Sequence, residues 1–138
     1  MRAVIDTNVF IGACLGGGAA NAVIAAGLRG RFIPLMGAAL LAEYEDVMGR
    51  AVLFEGCRLT SDEREELLDV FLSRCEWTRV YYLWRPNLRD EADNHLVELA
   101  VAGAAECIVT RNLRDLRVME LRFPALRVVT PEDFLKEI

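Results

Sequence analysis

The stretch MRAVIDTNVF, residues 1–10, decides how the rest of the chain is read. Ala3, Val4 and Ile5 form an apolar run of the kind found in a short buried strand, and it stops at Asp6-Thr7-Asn8 before resuming with Val9, Phe10 and Ile11. A carboxylate directly after a buried strand either caps a turn or binds something. In a parallel α/β sheet, ligands sit outside the carboxyl ends of the strands, where Asp6 falls.

Outward from that point, short apolar runs alternate with helical periodicity. Ala19–Leu28 places Ala20, Val23, Ile24, Gly27 and Leu28 on one stripe and predicts a helix. Arg31–Met36 reads as a second strand, made irregular or edge-like by Pro34. Ala38–Val52 has a helix period through Leu40, Leu41, Tyr44, Val47, Met48 and Ala51. Thr60-Ser61-Asp62-Glu63 is a capping box opening a helix through Leu67, Leu68, Phe71 and Leu72. Val80–Trp84 is a further strand, Asp93–Ala104 a helix, Cys107–Thr110 a buried strand, Asp115–Leu121 a short helix and Leu126–Val129 the last strand. Thr130-Pro131-Glu132-Asp133 starts a closing helix with an N-cap, proline at the first helical position and acids in the first turn. This alternation predicts one α/β domain over residues 1–138, with a central, mostly parallel sheet.

Bulk properties narrow the class. At 138 residues, 54% hydrophobic and 27% charged, the chain is long enough for one core and too apolar for disorder. No apolar run approaches the roughly 18 residues of a membrane span, and the first residues do not form a secretory or transit signal. The four cysteines, Cys14, Cys57, Cys75 and Cys107, are scattered without a C-x-x-C pair, which disfavours zinc; Cys75 and Cys107 fall in apolar-periodic segments and read as small buried hydrophobes, and a reducing cytoplasm is the simplest setting. A net charge of −5 disfavours broad nonspecific nucleic-acid binding but leaves room for a local basic site. Arg111, Arg114 and Arg117 in RNLRDLR supply one, or simply form a solvated helix face.

Acidic residues recur where the cleft of such a sheet would lie. Asp6 ends the first strand, Glu43 is one turn into the helix after the second, Asp90 and Asp93 precede the NHLVELAVAGAAE helix, and Asn112 and Asp115 follow CIVT. Gathered carboxylates repel one another, and a hard divalent cation such as Mg²⁺ or Mn²⁺ relieves that repulsion. Such an ion lowers the pKa of bound water and stabilises a leaving oxygen, which is the chemistry of phosphodiester hydrolysis. Plainer roles exist for each acid: Glu43 sits well near a helix N-terminus, and Asp93 and Asp115 each suit an N-cap. His95, the only histidine, reads more readily as a satisfied or surface residue than as a ligand.

Taken together, VIDTNVFIGA, LLAEYEDVM, RDEADNHLVELAVAGAAECIVTRNLRDL and LRVVTPEDFL, in that order, resemble the PIN domain, a family of metal-dependent ribonucleases that includes many toxins of toxin–antitoxin systems. The resemblance runs along essentially the whole chain. It implies a three-layer α/β/α sandwich and a Mg²⁺- or Mn²⁺-dependent endoribonuclease. It makes Asp6, Glu43 and Asp93 the metal-binding, catalytic acids, with Asp90 either a partner of Asp93 or the true ligand. Thr7, Asn8, Thr110 and Asn112 then support those acids through hydrogen bonds. Water attacks phosphorus in line, leaving a 5′-phosphate and a 3′-hydroxyl, while Arg111, Arg114 and Arg117 grip the RNA backbone. A small antitoxin protein and a homodimer are the implied partners.

One departure stands out. Many relatives have Gly-Asp after the strand, and here Arg111-Asn112 follows Thr110, so either the Asn112 amide or Asp115 fills the fourth acid position. Two rival readings follow. A haloacid-dehalogenase-like phosphatase needs D-x-D-x-T, which fails at Asn8 and Phe10. A PIN-like fold kept as a non-catalytic binding module would have Asn112 as its first sign of decay, which the retention of Asp6, Glu43 and Asp93 opposes.

Overall fold

The computed structural model describes residues 1–80, 94–117, 120 and 123–138. Strands β1 (Arg2–Ile5), β2 (Ile33–Met36), β3 (Glu76–Trp77), β4 (Cys107–Val109) and β5 (Arg127–Val129) form a five-stranded sheet in the order β3-β2-β1-β4-β5. Every pairing is parallel, with Val4 opposite Leu35 on one side and Ile108 on the other. Ala3, Val4, Ile5, Cys107, Ile108 and Val109 are all buried, as central strands covered on both faces must be.

Seven α-helices lie among the described residues: α1 (Thr7–Cys14), α2 (Gly18–Leu28), α3 (Ala38–Met48), α4 (Ser61–Arg74), α5 (Asn94–Ala102), α6 (Leu113–Leu116) and α7 (Pro131–Leu135). From β1 through β2 to β3 the chain steps in one direction, and from β4 to β5 in the other. Right-handed crossovers therefore place the earlier helices on one face and α5 on the opposite face. Consistently, α2 packs on α1, α4 and α7, while α5 packs on β1, β2 and β4. The result is a three-layer α/β/α sandwich. Its switch point, where strand order reverses, lies between β1 and β4.

Several local expectations change. Val9, Phe10 and Ile11 do not resume a strand but belong to α1, which buries Val9, Phe10, Ala13 and Cys14 on one face. Eight residues are too few for the period to show, and the β-branched and aromatic residues mimic a strand. Strand β2 is interior rather than at an edge, and Pro34 pairs opposite Ala3. Its missing N–H costs little: Ile33 donates toward the β1 side, so the nitrogen of Pro34 faces the β3 side, where pairing begins only at Leu35. That edge strand is Glu76–Trp77; of the expected strand Val80–Trp84, residues 81–84 lie outside the described residues. The helix expected over Ala38–Val52 ends at Met48, and a separate 3₁₀ turn covers Ala51–Phe54. Helix α6 starts at Leu113, so Asp115 is inside it and Asn112, not Asp115, occupies the N-cap position.

Caps at Thr60 and Thr130 form as their sequences predict. Thr60 Oγ1 accepts from the Glu63 N–H and Glu63 returns the bond, and Thr130 Oγ1 accepts from the Asp133 N–H. All four cysteines are free. No single helix among the described residues is long and apolar enough to cross a membrane.

Candidate active site

Asp6 and Thr110 follow directly from the two strands that flank the switch point. The Asp6 N–H donates to Val109 O at 3.0 Å, extending the β1–β4 ladder to the residue itself. Asp6 occupies the N-cap position of α1 yet forms no side-chain capping bond, so its carboxylate is left for the cleft. Thr110 Oγ1 donates to Asp6 Oδ2 at 2.8 Å and accepts from the Asn112 N–H at 2.9 Å. Asn8 Nδ2 approaches the same Asp6 oxygen at 3.3 Å, and Asn8 Oδ1 accepts from the Arg111 N–H at 3.2 Å. The loops after β1 and β4 are thereby tied together around one carboxylate that is only 5% exposed.

Glu43 reaches the same place from α3. Leu40, Tyr44 and Val47 form the buried stripe of that helix, with Glu43 on its flank and Glu45 and Asp46 exposed. The buried Tyr44 hydroxyl donates to Ile5 O at 2.7 Å, pinning α3 to the end of β1 one residue before Asp6. Thr7 Oγ1 stands between the two acids, 2.9 Å from Glu43 Oε1 and 3.4 Å from Asp6 Oδ1. With one hydroxyl proton to give, it favours the shorter contact. On the far side, His95 Nε2 bonds Glu43 Oε2 at 2.5 Å.

The two carboxylates are driven apart electrostatically. Burial pushes the Asp6 carboxyl above its ordinary 3.8, and the nearby Glu43 charge adds to the rise; the Thr110 hydroxyl and, less strongly, the Thr7 N–H oppose it. Glu43 is held below its ordinary 4.5, chiefly by the hydrogen bond from His95 and also by that from Thr7. One acid therefore resists its charge while the other keeps it readily. A nearby cation would favour the charged form of both.

A match to the family model described as PIN domain spans residues 2–114. The chain belongs to the PIN-domain family. PIN domains are generally nucleases, and they generally use divalent metals. By shape, this PIN domain is similar to the crystal structure of VapBC2 from Rickettsia felis bound to a DNA fragment from their promoter. The TM-score is 0.61 at 18% identity, covering 94% of this chain and 98% of that one, a likeness of fold. No curated protein matches the chain.

The donors of this PIN domain suit a hard divalent cation. Asp6 and Glu43 present carboxylate oxygens around a shared hydroxyl, and hard ions take oxygen ligands. Among the described residues, no group of three or more acidic, histidine or cysteine side chains is gathered for a metal. Asp90 and Asp93, the expected third acid and its neighbour, lie outside the described residues.

The remaining candidates are distributed as follows. Asp115 Oδ2 accepts from Asn112 Nδ2 at 3.1 Å, so these two are paired with each other at the start of α6. Arg111 is bound to Glu132 of α7, one guanidinium nitrogen lying 2.7 and 2.8 Å from the two carboxylate oxygens. Arg114 is exposed, and the exposed Arg117 has Glu120 at the limit of ion pairing, 4.0 Å away. His95 departs from the surface or satisfied role expected for it. It touches Glu43 through Nε2, while its Nδ1 is buried with no partner among the described residues. Glu98, 6% exposed, was not anticipated at all, because within HLVELAVA it reads as one polar residue in an amphipathic helix. Its Oε1 is also buried and unpartnered, which ordinarily costs about 1–3 kcal/mol. The signal that could have revealed it is the spacing His95–Glu98, since residues i and i+3 share a helix face.

Proposed function

We propose that this PIN domain is a metal-dependent endoribonuclease that hydrolyses RNA phosphodiester bonds, and that it is the toxin of a toxin–antitoxin pair. The observation that carries the enzymatic reading is the convergence of Asp6 and Glu43 around the Thr7 hydroxyl, beyond the carboxyl ends of β1 and β4.

Asp6 and Glu43 would hold Mg²⁺ or Mn²⁺ together with Asp93, the residue next in sequence before α5 and two positions from His95; Asp90 is the alternative or additional ligand. When bound, the ion supplies activation of water and stabilisation of charge on the reacting phosphate. Thr110 and Asn8 hold the Asp6 carboxylate in place through Oδ2, while Oδ1 lies by the Thr7 hydroxyl that also meets Glu43. His95 fixes the second oxygen of Glu43 and keeps that carboxylate charged. Asn112 occupies the fourth acid position with a neutral amide, and Asp115, tethered to it, is the nearest carboxylate that could serve there. Arg114 and Arg117, both exposed, are suited to contact RNA phosphates, and Arg111 would first have to leave Glu132. Hydrolysis in this sense leaves a 5′-phosphate and a 3′-hydroxyl.

The toxin reading draws on the fold shared with the Rickettsia felis VapBC2 structure, and it brings a small antitoxin protein and a homodimer as partners. The free thiols of all four cysteines suit the reducing cytoplasm where such a pair would act. A non-catalytic binding module is the competing reading, favoured by the neutral Asn112. Incubating the purified protein with structured and single-stranded RNA in Mn²⁺, Mg²⁺ or EDTA separates the two. Metal-dependent cleavage supports the enzyme, and RNA binding without cleavage in any metal supports the module. Co-expression with the product of a short adjacent reading frame tests the antitoxin: growth arrest relieved by that product is expected.

A further inference from the structure

Beside the acidic cleft, between the start of α3, β3 and one side of α5, lies a cavity of about 610 Å³. Its walls include Ala38, Ala39, Trp77, His95 and Glu98. His95 joins the two spaces, since its Nε2 bonds Glu43 of the cleft while its ring lines the cavity. Three features of this wall point to a ligand. Glu98 is almost wholly buried, yet its Oε1, sealed from solvent, has no hydrogen-bond partner among the described residues. The first turn of the 11-residue helix α3 has no side-chain cap, so N–H donors of Ala38, Ala39 and Leu40 are left on the same wall. Trp77 lines the cavity and remains 53% exposed, with its indole available for stacking.

We propose that this cavity is a guanine subsite, in which the Glu98 carboxylate reads N1–H and N2–H of a base flanking the scissile phosphate. The inference rests on the ribonuclease reading above and deepens it by naming a base preference. The choice among bases follows from donor and acceptor patterns. A carboxylate only accepts, and guanine alone presents two adjacent N–H donors on its Watson–Crick edge. Adenine and cytosine each set one amino group beside a ring nitrogen acceptor, and uracil flanks its single N–H with two carbonyls, so each brings a lone pair against the carboxylate. Guanine O6 is the acceptor that the uncapped N–H groups of α3 would meet. Rotation about the soft terminal torsion of Glu98 turns either oxygen toward the base.

The experiment uses the intact chain with 5′-GMP, 5′-IMP and 5′-AMP, followed by calorimetry and by NMR of the Trp77 indole. Inosine differs from guanosine only by the missing 2-amino group. Expected are saturable GMP binding that shifts the Trp77 resonance, IMP binding roughly 10-fold weaker, and AMP weaker still. Glu98→Gln, checked for folding by its melting temperature, loses the GMP-over-IMP difference. Trp77→Ala, checked for folding in the same way, weakens GMP and IMP alike. Equal binding of GMP and IMP, or binding of neither, overturns the subsite. RNA oligonucleotides with guanine, inosine or adenine at one defined position separate this proposal from the one it rests on. Cleavage indifferent to that base sinks the subsite and leaves the ribonuclease standing. GMP selectivity without cleavage of any RNA keeps the subsite and sinks the ribonuclease.

Discussion

The two walls of the acidic cleft are built differently. On the β1–β4 wall, Asp6, Asn8, Thr110 and the backbone of Arg111 and Asn112 hydrogen-bond to one another in a closed set. On the α3–α5 wall, Glu43 and His95 bond each other, but the His95 Nδ1 and Glu98 Oε1 beside them are buried without partners among the described residues. The first wall is anchored to central strands and satisfies its own hydroxyl and amide groups, leaving the buried Asp6 carboxylate for a cation. The second is helical, borders a cavity, and holds two buried polar atoms without a partner among the described residues. A rigid wall that fixes the reacting geometry, facing a wall completed by what it binds, is the arrangement expected where precision and recognition are divided.

That contrast can be broken most severely at Asp6. Asp6→Asn is expected to lower RNA cleavage by on the order of 10³-fold, because it removes the central charge of the site while keeping its shape. The same substitution should raise stability. Burial holds the Asp6 carboxyl above its ordinary 3.8, so the folded state disfavours its charge. That cost is fully present above the raised folded value and vanishes below 3.8, so neutralisation helps most at neutral pH and not at all in strong acid. A gain on the order of 1 kcal/mol in urea unfolding at pH 7, shrinking as pH falls, is the expected pattern.

Thr110→Val comes next. It removes the hydroxyl that bridges Asp6 and the Asn112 N–H, and the expectation is a 10- to 100-fold loss of metal affinity, roughly, together with about 1–3 kcal/mol of stability. Metal titration and denaturant melts read the two effects separately.

On the other wall, His95→Gln tests the charge of Glu43. Glu43 is held below its ordinary 4.5 mainly by His95, so it contributes stability that is present above 4.5 and lost as pH falls through the depressed folded value. Without His95 the folded value returns toward 4.5, so this contribution and its loss below pH 4.5 should both shrink, while the acid limb of the activity profile moves upward. An unchanged acid limb would mean that His95 does not set the Glu43 charge.

Tyr44→Phe is the mildest change. Losing the bond to Ile5 O should cost about 1 kcal/mol, with only a small effect on cleavage, because packing of the ring against Phe10 and Phe71 remains.

The fold was largely legible in sequence where period and caps agreed. The Thr60 capping box, the Thr130-Pro131 start and the buried runs at residues 3–5 and 107–109 all fall where they were read. Short elements were not: α1 resembled a strand because its eight residues are rich in β-branched and aromatic side chains, and two-residue β3 carries no periodic signal. In the site, Asp6 and Glu43 were visible because an acid at a strand end and an acid on a helix flank both break an apolar pattern. The bridging role of Thr110, the Glu43–His95 contact and the buried Glu98 were less visible. Their partners are as many as 104 residues away in sequence or absent, and no local pattern encodes that.

The most direct test compares cleavage of one single-stranded and one structured RNA by the wild-type protein and by Asp6→Asn, purified in parallel, in Mn²⁺ and in EDTA. Cleavage that needs Mn²⁺, leaves 5′-phosphate ends and disappears in Asp6→Asn is the expected result. Cleavage that persists equally in Asp6→Asn or in EDTA would contradict the assignment of this site.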